Sequence, residues 1–126
     1  MKNILIADDD RNITTALARR LEANGFNVAQ ARDGMEVLDL LQTTTPDLLL
    51  LDIWMPAGHG LFVSEKVRQL GLKIPIVFLT ASKLPGLRSA ARKAGAVGYL
   101  EKPYDPDELL HAINAALQSE PQAAAA

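Results

Sequence analysis

The chain has no cysteine, which excludes disulfides, thiol nucleophiles and thiolate-held metals. Its two histidines, His59 and His111, are too few and too isolated for a zinc site. No apolar run approaches the roughly 18 residues of a membrane span. A net charge of −2 leaves no basic stripe for nucleic acid. Tryptophan occurs once, at Trp54, which makes it an unambiguous reporter of its surroundings. What remains, 48% apolar and 22% charged residues in 126, is ordinary for a single globular domain. That length buries about two-thirds of the unfolded surface. A strand pattern begins within three residues of Met1, leaving no room for a signal peptide, so a cytoplasmic location is expected.

What is present is a set of polar residues at the ends of short apolar runs. Asp8-Asp9-Asp10 follow Ile4-Leu5-Ile6-Ala7, and Asp52 follows Leu48-Leu49-Leu50-Leu51. Thr80 follows Ile76-Val77-Phe78-Leu79, and Lys102 comes just after Val97-Gly98-Tyr99-Leu100. Runs of this kind read as buried parallel strands. In an open parallel sheet, ligands bind in the crevice at the carboxyl ends of the strands. Four carboxylates, a hydroxyl and an ammonium are therefore expected at one edge of one sheet.

Strand and helix patterns alternate five times. Ile13, Leu17 and Leu21 make one helical stripe, ended by Gly25. Phe26–Ala31 is a half-polar strand suited to a sheet edge. Asp33 and Glu36 form a capping box ahead of Val37, Leu38 and Leu41, and Pro46 breaks that helix. A Pro- and Gly-rich loop, Ile53–Gly60, leads to a helix over Leu61–Leu70, and Ile74–Leu79 is the fourth strand. A helix over about Pro85–Ala94 has a thin apolar face. Asp105-Pro106-Asp107-Glu108 opens the last helix, which runs through Leu109, Leu110, Ile113 and Leu117. The fold class is α/β: a (βα)₅ doubly wound parallel sheet with right-handed crossovers and helices on both faces. Residues 1–119 form the domain, and 120–126 read as a linker or tail.

The expected edge suits a hard cation and a phosphoryl group. Magnesium takes one or two carboxylates, several waters and a phosphate oxygen. Asp8, Asp9 and Asp52 supply acids, and the backbone carbonyl of Trp54, just past Asp52, is a further ligand. Crowded carboxylates raise one another's pKa unless a cation offsets the repulsion; Lys102 and a bound metal are expected to do so. Asp52 would then attack phosphorus and form an aspartyl-phosphate. The metal, Lys102 and the Thr80 hydroxyl would each take one equatorial oxygen. Each residue alone has a plainer explanation as a cap, a turn or a loop lysine. Their conjunction, at the same end of alternate elements, carries the chemical reading.

Over roughly residues 2–118 the chain resembles the receiver domain of two-component response regulators, including single-domain chemotaxis regulators. Ile4–Asp10 is similar to the family's first strand and acidic pair, which implies Asp8 and Asp9 as magnesium acids and Asp10 as an extra neighbour. Asp47–Pro56 resembles the phosphoacceptor segment, with Asp52 the acceptor, and Gly60 matches the glycine closing the following loop. Thr80-Ala81 resembles the switch hydroxyl and its small neighbour, Tyr99 the rotating aromatic, and Lys102-Pro103 the lysine and cis-proline pair. The resemblance also implies the strand order 2-1-3-4-5. It departs from the pattern at His59, where relatives often carry Asp, and at Trp54, a bulky residue expected at the rim of the crevice.

The function so implied is phosphorelay signalling: a phosphoryl group passes from the phosphohistidine of a sensor histidine kinase or phosphotransfer protein to Asp52. Thr80 would be drawn toward it and Tyr99 would enter the vacated space, since both end neighbouring strands beside small Ala81 and Gly98. The surface of the last two helices would change, serving an output domain or a homodimer. No direct nucleic-acid or membrane contact is expected of this domain. Two rivals stand beside this reading. A docking module working without phosphate would usually lack an acid, the Thr or the Lys. An aspartate-nucleophile phosphohydrolase of the haloacid-dehalogenase type would use Asp8-x-Asp10, but Asn12 stands where that pattern needs Thr or Val. The trailing Pro-Gln-Ala segment favours the first domain of a longer regulator.

Overall fold

The computed structural model describes residues 1–55 and 59–118. Pro56, in the segment that resembles a phosphoacceptor segment, and the tail from 119 onward lie outside the described residues. The strands are β1 (Asn3–Ala7), β2 (Asn27–Ala31), β3 (Leu48–Leu51), β4 (Ile76–Thr80) and β5 (Gly98–Glu101). The helices are α1 (Arg11–Ala23), α2 (Gly34–Leu40), α3 (Gly60–Gln69), α4 (Leu87–Lys93) and α5 (Pro106–Gln118). All strand pairs are parallel, in the order β2-β1-β3-β4-β5. This is the flavodoxin-like arrangement, and its five strands end along one edge.

The apolar runs are continuous because the central strands are covered on both faces, and successive side chains alternate between them. Ile4, Ile6, Leu48, Leu50, Val77 and Leu79 pack with Leu17, Leu21, Leu109 and Ile113 of α1 and α5. Leu5, Leu49, Leu51, Ile76 and Phe78 pack instead with Val37, Val63, Val67, Leu87 and Ala91 of α2, α3 and α4. Two cores thus grip the sheet and hold its carboxyl edge in register.

Several expectations are corrected in detail. The buried face of α1 is Thr14, Leu17, Ala18 and Leu21, and Ile13 is 37% exposed. Periodicity sets the spacing of a stripe but not its phase. Helix α2 stops at Leu40, well ahead of Pro46; the hydroxyl and N–H of Thr44 both donate to the Leu40 carbonyl, at 2.8 and 2.9 Å. The last strand is only partly buried, because β5 forms the edge opposite β2. Other signals act as read. Gly25 takes φ +90° just after α1, and Asp33 caps α2 by accepting from the Glu36 N–H at 2.8 Å. Asp105 accepts from the Asp107 N–H at 2.8 Å at the start of α5.

Candidate functional site

Strands β1 and β3 are neighbours, with Ala7 opposite Leu51. The residues that follow them, Asp8 and Asp52, therefore emerge side by side at the carboxyl edge. The Asp52 N–H continues the ladder to the Ala7 carbonyl at 3.0 Å. Next along the edge, β4 ends at Thr80, and β5 ends at Glu101, which pairs with Thr80. The Lys102 N–H donates to the Thr80 carbonyl at 2.8 Å, and Lys102–Pro103 is a cis peptide bond. Strand order alone thus delivers two carboxylates, a hydroxyl and an ammonium to one crevice.

Lys102 bridges the acids. Its Nζ lies 2.7 Å from Asp8 Oδ2 and 3.4 Å from Asp52 Oδ2. Asp8, Asp9 and Asp52 each offer a carboxylate oxygen within 4.8 Å of the others, a donor set suited to a hard divalent cation. Two backbone donors fix the carboxylates: the Asp10 N–H reaches Asp8 Oδ1 at 3.0 Å, and the Trp54 N–H reaches Asp52 Oδ1 at 3.2 Å. Thr80 is fully buried, and its Oγ1 accepts from the Ser82 N–H at 3.2 Å.

Burial raises the Asp52 carboxyl above the ordinary aspartate value, the Lys102 charge opposes that rise, and the Asp8 charge adds to it. The Lys102 charge outweighs the repulsion from Asp8, and burial is what leaves the net shift upward. Removal from water works against the Lys102 ammonium, but its hydrogen bond to Asp8 and the charges of Asp52 and Asp8 outweigh it. The net shift is upward. The remaining imbalance is of the kind a bound cation relieves.

The third aspartate is diverted. Asp10 caps α1, its Oδ1 accepting from the N–H groups of Asn12 at 3.0 Å and Ile13 at 3.4 Å. Three carboxylates converge, rather than four. Trp54 stands at the rim, 48% exposed, as its size predicts. Its ring is tilted against His59 at 6.3 Å between centroids. His59 caps α3 through Nδ1, which accepts from the Phe62 N–H at 3.3 Å. Gly60 has no room for a side chain: a Cβ there would strike the Asp52 carbonyl oxygen and come within 2.8 Å of Phe78 Cε1. α3 thereby approaches Asp52 closely.

Tyr99 does not end its strand; it sits within β5 opposite Phe78, two residues before Glu101 pairs with Thr80. Its ring lies beneath Arg88 of α4, with the guanidinium carbon 4.7 Å from the centroid. Lys83 bonds Glu101 at 3.1 Å and ties the loop after β4 to the end of β5. Arg88, Lys83 and Ser82 were not singled out by sequence reasoning. Only the tight Thr80–Ser82 spacing carries a local signal, that of a side chain bonding a backbone N–H two residues on.

Comparison with known proteins agrees with this geometry. The model of the response regulator receiver domain matches residues 4–114. The chain is 43% identical over 115 residues to the response regulator MprA of Mycobacterium avium, covering 91% of this chain and 50% of that protein. It thus spans about half the length of the curated relatives it matches. Among solved structures it resembles the receiver domain of the Francisella response regulator 1452 (TM-score 0.88, 30% identity, 94% of this chain and 98% of that one). A response regulator from Chloroflexus aurantiacus is similar to the same degree (TM-score 0.88, 33% identity, 94% and 98% covered). The family match across most of its length, joined to the acidic crevice at the sheet edge, establishes that the chain belongs to the response regulator receiver domain family.

Proposed function

We propose that this domain is a magnesium-dependent phosphoryl acceptor in a two-component phosphorelay, with Asp52 the phosphorylated residue. The observation that carries the reading is the crevice of Asp8, Asp9 and Asp52, bridged from one side by Lys102 at 2.7 and 3.4 Å. Asp8, Asp9, Asp52 and the Trp54 carbonyl would hold the ion. When bound, magnesium neutralises the carboxylates and takes charge from a phosphoryl oxygen.

The chain's own residues do the rest. An Asp52 carboxylate oxygen forms the new P–O bond while the P–N bond to the histidine of a sensor kinase or phosphotransfer protein breaks, and the imidazole departs. Lys102 holds a second phosphoryl oxygen by charge. Thr80 offers its hydroxyl to a third, exchanging the Ser82 contact for a stronger, charge-assisted one. Tyr99 then follows into the space beside Thr80, altering the α4–β5–α5 surface that an output domain or a second copy would read. The domain serves signalling rather than substrate turnover, and works in the cytoplasm where such kinases present their phosphohistidine. Residues 1–119 are read as the receiver domain, and the chain spans about half the length of the MprA relative. A phosphohydrolase using Asp8-x-Asp10 loses its support, since Asp10 is engaged as a helix cap.

Acetyl phosphate with magnesium tests this. The expected result is labelling of the wild-type protein that Asp52→Asn abolishes and that Asp9→Ala uncouples from magnesium. Undiminished labelling of Asp52→Asn would sink the proposal.

A further inference from the structure

The two edges of the sheet are finished differently. Charge stands along β5, where Arg88 lies over Tyr99 and Lys83 bonds Glu101. The opposite edge, β2, is Asn27-Val28-Ala29-Gln30-Ala31, without a charge or a proline. Its register with β1 runs unbroken from Asn27 to Ala31, so no bulge interrupts it. Exposed edge strands usually carry one of these devices, because their unpaired N–H and C=O groups are a template for another strand. Which groups are free follows from the ladder. The Asn27 N–H donates to the Lys2 carbonyl at 2.9 Å, and the Ala31 carbonyl accepts from the Asp8 N–H at 3.4 Å. Asn27, Ala29 and Ala31 therefore turn their backbone groups to β1. Successive residues of a strand alternate, so Val28 and Gln30 aim theirs away from the sheet.

Those two residues suit a second copy running antiparallel about Ala29. Val28 then faces the partner's Gln30, and Gln30 the partner's Val28, each pair exchanging both of its main-chain bonds. Ala29 faces the partner's Ala29 in the closer, non-hydrogen-bonded position, with Cα atoms about 4.5 Å apart, where a methyl side chain fits. With no charge on the strand, self-pairing opposes no like charges. The helix layer matches as well. Ala31 packs in the core with Val37 of α2, so Asn27 and Ala29 look to that layer too. Helix α2 ends at Leu40 and leaves a groove of about 410 Å³ over the amino half of β2, bordered by Leu5, Asn27, Ala29, Leu40 and Pro46. A reversed partner brings the start of its own α2 to that half, where Met35 is 51% exposed.

We propose that β2 is the seam of a symmetric dimer, in which two copies pair antiparallel about Ala29 and the partner's Met35 enters the groove beneath Leu40. Two five-stranded sheets become one. The contact is isologous, so it closes at two copies and leaves no β2 edge to recruit a third. It goes beyond the phosphoacceptor reading and does not depend on it, because β2 and β5 are opposite edges and the seam leaves Tyr99 and the Asp52 crevice uncovered.

Sedimentation of the wild-type protein tests this, and a dimer that dissociates on dilution is expected. Ala29→Lys sets two ammonium groups face to face and should raise the dimer Kd by about tenfold or more, the change made by about 1.4 kcal/mol. Met35→Gln should raise it less. The chain has no cysteine, so Ala29→Cys under copper–phenanthroline should give a crosslinked dimer, its Cα spacing of about 4.5 Å lying within disulfide range. Gln69→Cys, exposed on α3, should not. In the wild type, hydrogen exchange at the Val28 and Gln30 amides should slow as concentration rises, while that at Asn27 stays constant. A wild-type monomer at millimolar concentration would overturn the seam. So would a dimer that Ala29→Lys leaves intact and Ala29→Cys does not crosslink. Exchange at Val28 and Gln30 that ignores concentration overturns it without recourse to any variant, and protection of those amides in a monomer would put a segment of the same chain on the edge instead. An unchanged Kd in Met35→Gln would overturn the Met35 contact.

Discussion

Burial holds the Asp52 carboxyl above the ordinary aspartate range even with Lys102 only 3.4 Å away. The native state therefore binds that proton more tightly than the unfolded chain does. The stability this contributes is fully present below the unfolded value of 3.8 and is lost as pH rises through the higher folded value. At neutral pH an ionised Asp52 is a burden on the fold. Asp52→Asn is expected to raise the unfolding midpoint at pH 7 without magnesium by a few degrees, since about 1 kcal/mol moves Tm by about 4 °C at this size. Lys102 keeps its 2.7 Å bond to Asp8 in that variant. The gain should shrink as the pH approaches 4, and magnesium should stabilise the wild type more than the variant; thermal unfolding at two pH values with and without EDTA checks both. A lower midpoint for Asp52→Asn at pH 7 would contradict this account of the site. Trp54, two residues on and half exposed at the rim, reports the same charge balance. Its fluorescence should change saturably with magnesium, and Asp9→Ala should weaken the titration. A flat titration in the wild type would mean that the ring packs on its loop and senses nothing of the acids.

At the scale of elements, the proposed switch depends on how β4 and β5 end. Thr80 closes β4 opposite Glu101, and Lys102 follows directly, so the hydroxyl and the ammonium share one ladder. Thr80→Ala should still accept phosphate from acetyl phosphate, because Asp52, Lys102 and the acids are untouched. It should fail to pass the change on. Hydrogen exchange across residues 83–104 should respond to beryllofluoride in the wild type and not in Thr80→Ala. Equal responses in the two proteins would remove Thr80 from the switch. Much of this arrangement is legible in the sequence, because parallel strands end together and the residue after each apolar run lands on a common edge. Asp8, Asp9, Asp52, Thr80 and Lys102 are found that way. Asp10 is misread because a cap and a site acid look alike until the helix start is known. The β5 run reads as a buried strand yet is only partly buried, since burial depends on which strands flank it. Arg88 over Tyr99, and Ser64 and Arg68 on the α4 carbonyls, join residues far apart in the chain and leave no local pattern to read.

Across the whole molecule, one sheet does two jobs. Its buried centre, with Leu48–Leu51 fully enclosed between two helix layers, fixes the acids where repulsion would otherwise spread them. Its β5 edge is less deeply packed and carries Tyr99, beside the short helix α4. On the proposed function, rigidity at Asp52 and looser packing at the edge suit a phosphorylation switch, because local changes are amplified only where an element has two arrangements available. The central claim is that Asp52, and no other acid in the crevice, carries the phosphoryl group. Borohydride reduction of the acetyl-phosphate-treated protein, followed by peptide mass mapping, converts an aspartyl-phosphate to homoserine and locates it. The account predicts homoserine at position 52 alone, appearing only when magnesium is present. Homoserine at position 8 or 9, or none at 52 in protein that has taken up phosphate, would contradict it.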